Sequence, residues 1–169
     1  IIINMLKKPL TVFICCFIVS ACAVNDNRLR EADVRLLCQA TVDGYAITRD
    51  RADANAHAAL FTPDGTMTLF GKTLKGREAI AEALRQRSNG PTVRHMTTSA
   101  EFIITGPNAA TGTNYTLVLT AENGVTPPRI PLSANNLLAV ARYHDTYEIK
   151  NGKCLFTTRT LFADFFKSK

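Results

Sequence analysis

Hydrophobic positions recur along this chain with two different periods. Between residues 30 and 90 the period is helical: Val34, Leu37, Cys38, Thr41, Tyr45 and Ala46 return every three or four residues, the stripe of a helix with one buried face, ending near Asp50. Asp53 is placed to cap a short second helix through residues 54–61. Thr62-Pro63-Asp64-Gly65 ends that helix, because Pro63 disfavours helix before it and Asp-Gly favours a turn. Residues 66–70 (TMTLF) read as a strand, and Gly76 precedes a third helix over residues 77–87 with Ala79, Ile80, Ala83 and Leu84 on one side. From residue 93 onward, β-branched and apolar runs separated by turn signals predict strands at 93–105, 110–122, 136–150 and 153–162. Asn151-Gly152 predicts a two-residue hairpin turn, and the three prolines of residues 125–134 require a loop or an edge excursion. Helices first and antiparallel strands afterwards predict an α+β domain, with about three N-terminal helices on one face of a curved antiparallel sheet.

The start of the chain follows neither period. From Met5, two lysines (Lys7, Lys8) precede an almost unbroken apolar stretch from Pro9 to Val19, followed by Ser20-Ala21-Cys22 and then polar residues. A basic head, a short apolar run and small residues at its end form the layout of a secretory signal, and the run is short for a membrane span. Val19-Ser20-Ala21-Cys22 is similar to a bacterial lipobox, which makes Cys22 the expected lipidation site; a plain signal peptide or an uncleaved anchor is the alternative. The expected organisation is a signal at 1–21, a tether at 22–29, the folded domain at 30–163 and a C-terminal tail at 164–169. Ala23 after Cys22 favours outer-membrane sorting, so the expected location is the cell envelope, reached by export.

Composition sharpens this picture only in places. With 169 residues, 46% hydrophobic and 20% charged, the chain suits one globular domain. The net charge of +6 includes Lys7 and Lys8 of the signal, so residues 22–169 carry +4, without a basic run, which argues against nucleic acid as a partner. The five cysteines form no CxxC pair or zinc-type cluster, and no phosphate-binding glycine loop, nucleophile elbow or HExxH motif occurs, so neither metal nor cofactor is expected. Cys38 and Cys154 either form a disulfide in an oxidising compartment or stay as two small buried hydrophobes.

One succession of motifs is more specific. Tyr45-x4-Asp50-x2-Asp53, LFTPDG (60–65), GREAI (76–80), the His in VRHMTTS (93–99) and ARYHDTY...NG (141–152) with a late Arg159 together resemble the SnoaL-like domain of the nuclear transport factor 2 superfamily. The resemblance implies a cone-shaped α+β fold whose helices cover the mouth of a cone walled by the sheet. It also implies a homodimer through the outer face of that sheet. Scytalone dehydratase and the bile-acid dehydratase are the nearest chemical analogues. By that likeness His95 is the proton-transfer group, Asp50 its orienting partner, and Tyr45 a donor to a substrate carbonyl or enolate oxygen. Asn114, Tyr143 and Asp145 are expected against the substrate, a small hydrophobic carbonyl compound handled by a lyase or isomerase. A ligand-binding or assembly lipoprotein without chemistry is the alternative. Where the dehydratases carry a further ionisable residue, residues 110–122 offer only Asn114, Tyr115 and threonines.

Each assignment has a plainer counterpart. Tyr45 suits a core aromatic and Asp50 a helix-end residue, while Asp145 suits a buried ion pair with Arg142 or Arg159. Alternation does not fix which face of its strand His95 occupies. His57 and His144 are expected at the surface.

Overall fold

A computed structural model describes residues 19–87, 92–121 and 137–166, with side chains from residue 30 onward. The expected export signal up to residue 18, the side chain of Cys22 and the proline-rich segment 125–134 lie outside the described residues. No helix of the described residues is long and apolar enough to cross a membrane.

Three helices and six strands follow one another in the order α1 (Val19–Asp50), α2 (Ala54–Ala59), β1 (Phe61–Leu69), β2 (Lys72–Lys75), α3 (Arg77–Arg87), β3 (Val93–Gly106), β4 (Ala109–Thr120), β5 (Leu137–Lys150) and β6 (Lys153–Phe166). All strands join one sheet of order β2-β1-β6-β5-β4-β3. The expected α+β class holds, with two corrections. The sheet is mixed, because β1 runs parallel to β6, and the short strand β2, hairpinned onto β1, was not foreseen. The register explains both. Phe61 pairs with Phe156 but Thr66 pairs with Thr158, so the predicted turn residues 62–65 are absorbed as an outward irregularity within one longer strand. Gly65 makes this feasible, since a Cβ there would stand 2.9 Å from the Phe156 carbonyl oxygen. The ends also shift. Helix α1 continues back through residues 22–29, read from sequence as a tether, and β6 reaches Phe166, into the expected tail.

Elsewhere the local chemistry acts as its residue types require. Asp53 caps α2 by accepting the Ala56 N–H at 3.0 Å, and Asn151 and Gly152 adopt φ of 52° and 68° in the turn between β5 and β6. The α1 stripe Val34, Cys38, Val42, Tyr45 packs with Phe61, Met67, Ile80, Leu84 and Phe156 in one core between helices and sheet. The open alternative for the cysteines is resolved: Cys38 and Cys154 form a disulfide, Cα atoms 5.0 Å apart, fastening α1 to β6. Thr41, one turn on, donates to the Cys154 carbonyl at 2.6 Å. Because the bridge closes a loop spanning 116 residues, it stabilises the fold by about 2–5 kcal/mol.

Candidate functional site

Asp50 is the last residue of α1 and His95 lies at the start of β3, 45 positions later, yet they meet. The Asp50 Oδ1 lies 2.6 Å from His95 Nδ1, and the His95 backbone N–H donates to both carboxylate oxygens at 3.2 and 3.1 Å. One carboxylate therefore holds both the ring and the backbone of the histidine. The carboxylate needs a donor, so Nδ1 carries the proton and Nε2 presents a lone pair, which has no hydrogen-bond partner among the described residues. Burial holds the His95 pKa below its ordinary 6.5 despite the hydrogen bond that His95 donates to Asp50, which pulls the other way, and Arg49 adds to the lowering. The ring is neutral at pH 7 and competent as a base.

Tyr45 approaches from α1. Its ring stands edge-on to His95, with centroids 6.5 Å apart, and its hydroxyl contacts Met67 Sδ at 3.6 Å and hydrogen-bonds with Tyr143. The face of His95 is now explained. The register of β3 against β4 shifts between Thr97 and Ala100, so His95 faces inward on odd numbers while Phe102 faces inward on even ones.

Of the three residues expected against the substrate, Asn114 and Asp145 are bonded to one another, and all three gather around Arg159. Asp145 Oδ2 accepts from Arg159 Nη1 at 2.7 Å, from Asn114 Nδ2 at 2.7 Å and from the Tyr147 hydroxyl at 2.9 Å. Arg159 Nη2 donates back to Asn114 Oδ1 at 3.3 Å. The guanidinium lies between rings, 3.7 Å from the centre of Tyr143, 4.0 Å from Tyr45 and 4.6 Å from Phe156. Burial pushes the Asp145 carboxyl above its ordinary value, against the pull of Arg159, and burial also raises the Tyr143 hydroxyl, which stays protonated. Of the two pairings left open for Asp145, the one with Arg159 is found. Arg142 pairs with Asp164 on the other face.

Of two further interior residues, Arg159 was foreseen as one possible partner of Asp145 and His57 was not foreseen. Arg159 faces inward with Phe156, three positions away, because Thr157 is an extra residue of β6 between the pairs Tyr147–Phe156 and Thr146–Thr158. Strict alternation puts residues three apart on opposite faces. His57, expected at the surface, is fully buried, because Ala54, His57 and Ala58 form the packed face of α2. Its Nδ1 lies 3.0 Å from Thr48 Oγ1, which itself donates to the Gly44 carbonyl, and its ring lies 4.6 Å from that of Tyr45. Burial, with the nearby charges of Arg49, Arg159 and His95, lowers its pKa to about 3. His144 is exposed, as its parity predicted.

This inward constellation of Tyr45, Asp50, His95 and Arg159 sits on a helix-covered curved sheet, and a sequence profile of the SnoaL-like domain matches residues 30–160. The chain belongs to the SnoaL-like family. No curated protein matches it in sequence. Among solved structures, a protein of unknown function from Mycobacterium tuberculosis, Rv3472(D26N), is 25% identical with a TM-score of 0.66, over 76% of this chain and 75% of that one. A candidate scytalone dehydratase from Novosphingobium aromaticivorans is 17% identical with a TM-score of 0.67, over 85% and 90%. The hexachlorocyclohexane dehydrochlorinase LinA-type3 from Novosphingobium barchaimii LL02 is 19% identical with a TM-score of 0.69, over 83% and 92%. The last two likenesses establish the shared nuclear transport factor 2-like fold of this SnoaL-like domain. Among the described residues no group of three or more His, Cys, Asp or Glu side chains is placed to hold a metal ion.

Proposed function

We propose that this SnoaL-like domain is a cofactor-independent lyase or isomerase that removes a proton next to a carbonyl in a small hydrophobic compound. The observation that carries the reading is the 2.6 Å contact between Asp50 and His95, which leaves a neutral imidazole whose Nε2 has no hydrogen-bond partner among the described residues. In the dehydratase form, Nε2 takes the proton from the carbon next to the carbonyl, and the Tyr45 hydroxyl donates to the developing enolate oxygen. The electron pair then expels a β-hydroxyl, which leaves as water with the proton that His95 holds. The fold shared with a dehydrochlorinase and a candidate scytalone dehydratase supports elimination chemistry. The Cys38–Cys154 disulfide supports an oxidising compartment, in keeping with an exported domain anchored through Cys22. The exposed Ile103, Tyr115 and Phe162 on the outer sheet face offer the surface for a homodimer.

The test is a screen of β-hydroxy ketones and their enone products with the wild type, His95→Gln and Asp50→Asn. Turnover is expected to fall about 10²–10⁴-fold in His95→Gln and strongly in Asp50→Asn. The acid limb of the wild-type profile should lie below pH 6.5, since the depressed pKa of His95 keeps it deprotonated to lower pH. Equal turnover by all three proteins rejects the assignment. The locking of Asn114, Tyr143 and Asp145 around Arg159 favours a second reading, a domain that holds a hydrophobic ligand without transforming it; binding without turnover would select that reading.

A further inference from the structure

Helix α1 ends in a conformation that its sequence does not favour. The Asp53 N–H donates to the Thr48 carbonyl at 2.9 Å and the Ala52 N–H to the Arg49 carbonyl at 3.1 Å, the paired bonds of a Schellman motif. Ala52, at φ 54°, stands in the left-handed position that glycine usually fills. An apolar contact between the residues at the places of Thr48 and Asp53 commonly fastens such an end, and these two polar side chains do not supply it. Asp50, which must face β3 to hold His95, sits inside this strained turn.

His57 supplies another fastening. Its ring is fully buried, and Nδ1 lies 3.0 Å from Thr48 Oγ1. The Thr48 hydroxyl has one hydrogen and gives it to the Gly44 carbonyl at 2.7 Å, so Nδ1 is the donor to Thr48. Nε2 is then a lone pair buried without a hydrogen-bond partner. An apolar side chain would fill this face of the six-residue helix α2 without stranding a polar atom, so the bond to Thr48 is what the imidazole adds. The same ring packs against Tyr45, with centroids 4.6 Å apart, and the Arg159 guanidinium lies 4.0 Å from the centre of the Tyr45 ring. One hydrogen bond thus ties α2 to the last turns of α1, which carry Tyr45 and Asp50.

We propose that His57 is a positioning residue: by donating to Thr48 it latches α2 onto the end of α1, fixing the Asp50 carboxylate against His95 and the Tyr45 ring beside them. The inference rests on the reading of Asp50, His95 and Tyr45 as the proton-transfer site and adds the residue that holds that site in shape.

Four variants separate the bond from the packing. Thr48→Val removes the acceptor and keeps the volume, and His57→Phe removes the donor and keeps a ring. Thr48→Ser retains the hydroxyl, and His57→Asn places an amide N–H where Nδ1 stood. The first readout needs no substrate. In proton NMR of the full chain, the Nδ1 proton between His95 and Asp50 should give a far-downfield resonance, assigned by its loss in His95→Gln. That resonance should be lost in Thr48→Val and in His57→Phe and should persist in Thr48→Ser and in His57→Asn. The second readout is turnover of the β-hydroxy ketones: the first two variants should lower kcat about 10–100-fold with KM changed about threefold or less, and the other two should stay within about threefold of the wild type. Survival of the resonance in Thr48→Val or in His57→Phe overturns the proposal. So does its loss in all four variants, which would mean that the site answers to any change there rather than to this bond, and so does its absence from the wild type. If His57→Phe does not fold, Thr48→Val decides alone. A wild type that turns over no compound removes the proton-transfer reading and leaves the resonance to decide the latch, whereas a kcat unchanged in Thr48→Val removes the latch and leaves that reading intact.

Discussion

The inner face holds two acid–base pairs of nearly equal length and opposite design. Asp145 and Arg159 meet at 2.7 Å with side chains 0% and 1% exposed, and Asn114 and Tyr147 complete the set of donors on the same carboxylate oxygen. Asp50 and His95 meet at 2.6 Å nearer the edge, 15% and 5% exposed, and one ring nitrogen is left over. A guanidinium does not release its proton in the working range, whereas an imidazole does. Depth and a guanidinium therefore mark the pair that holds the sheet together, although Asp145 Oδ1 and Arg159 Nε have no partner among the described residues, and a titratable imidazole nearer the edge marks the pair able to do chemistry.

The largest effect that can break this comparison is on stability. Asp145→Ala strands the Arg159 charge inside a ring of aromatic faces, and should cost about 3–5 kcal/mol in urea unfolding. Replacing both members with apolar residues of similar volume, Asp145→Leu with Arg159→Met, should restore much of that loss, because no charge is left unpaired. Asp50→Asn should cost less than Asp145→Ala, since its site is partly solvated. If Asp145→Ala unfolds no more easily than the wild type, the pair is not structural, and the division between the two sites fails.

This division was only half legible in the sequence. The Tyr45, Asp50 and His95 set was legible only through the resemblance to the SnoaL-like dehydratases, while local chemistry named the Asp53 cap and the Asn151-Gly152 turn. What alternation could not supply was the orientation of residues beyond an irregularity. The shift between Thr97 and Ala100 hid the face of His95, and the extra residue Thr157 hid Arg159 beside Phe156. Sequence left the partner of Asp145 open between Arg142 and Arg159, because only the register places Asp145 opposite Arg159. His57 escaped for another reason: in a six-residue alanine-rich helix, nothing in the sequence says which face is packed.

His57 sharpens the comparison through pH. Its pKa is about 3 in the fold and near 6.5 in the unfolded chain, so between those values the unfolded state binds more protons. Stability is then complete above pH 6.5 and is lost as the pH falls towards 3, with a slope of up to about 1.4 kcal/mol per pH unit. His57→Gln should flatten that slope in a series of urea titrations from pH 7 to about pH 4, whereas Arg142→Gln should leave it intact. An unchanged slope in His57→Gln would assign the acid sensitivity to His95, whose pKa is lowered in the same direction.

The smallest expected effect is the most exacting control on the argument. Arg142 and Asp164 form a third pair on the outer face, 2.8 Å long, with side chains 38% and 27% exposed. By distance alone this contact is the equal of the two inside. Water screens it and both side chains lose rotamer freedom in making it, so Asp164→Asn should change stability by about 0.2–1 kcal/mol, and less at high salt. Its effect on turnover should be nil. A loss comparable to that of Asp145→Ala would mean that contact length, rather than the surrounding dielectric, sets the worth of each pair. The assignment of one inner pair to structure and the other to chemistry would then lose its basis.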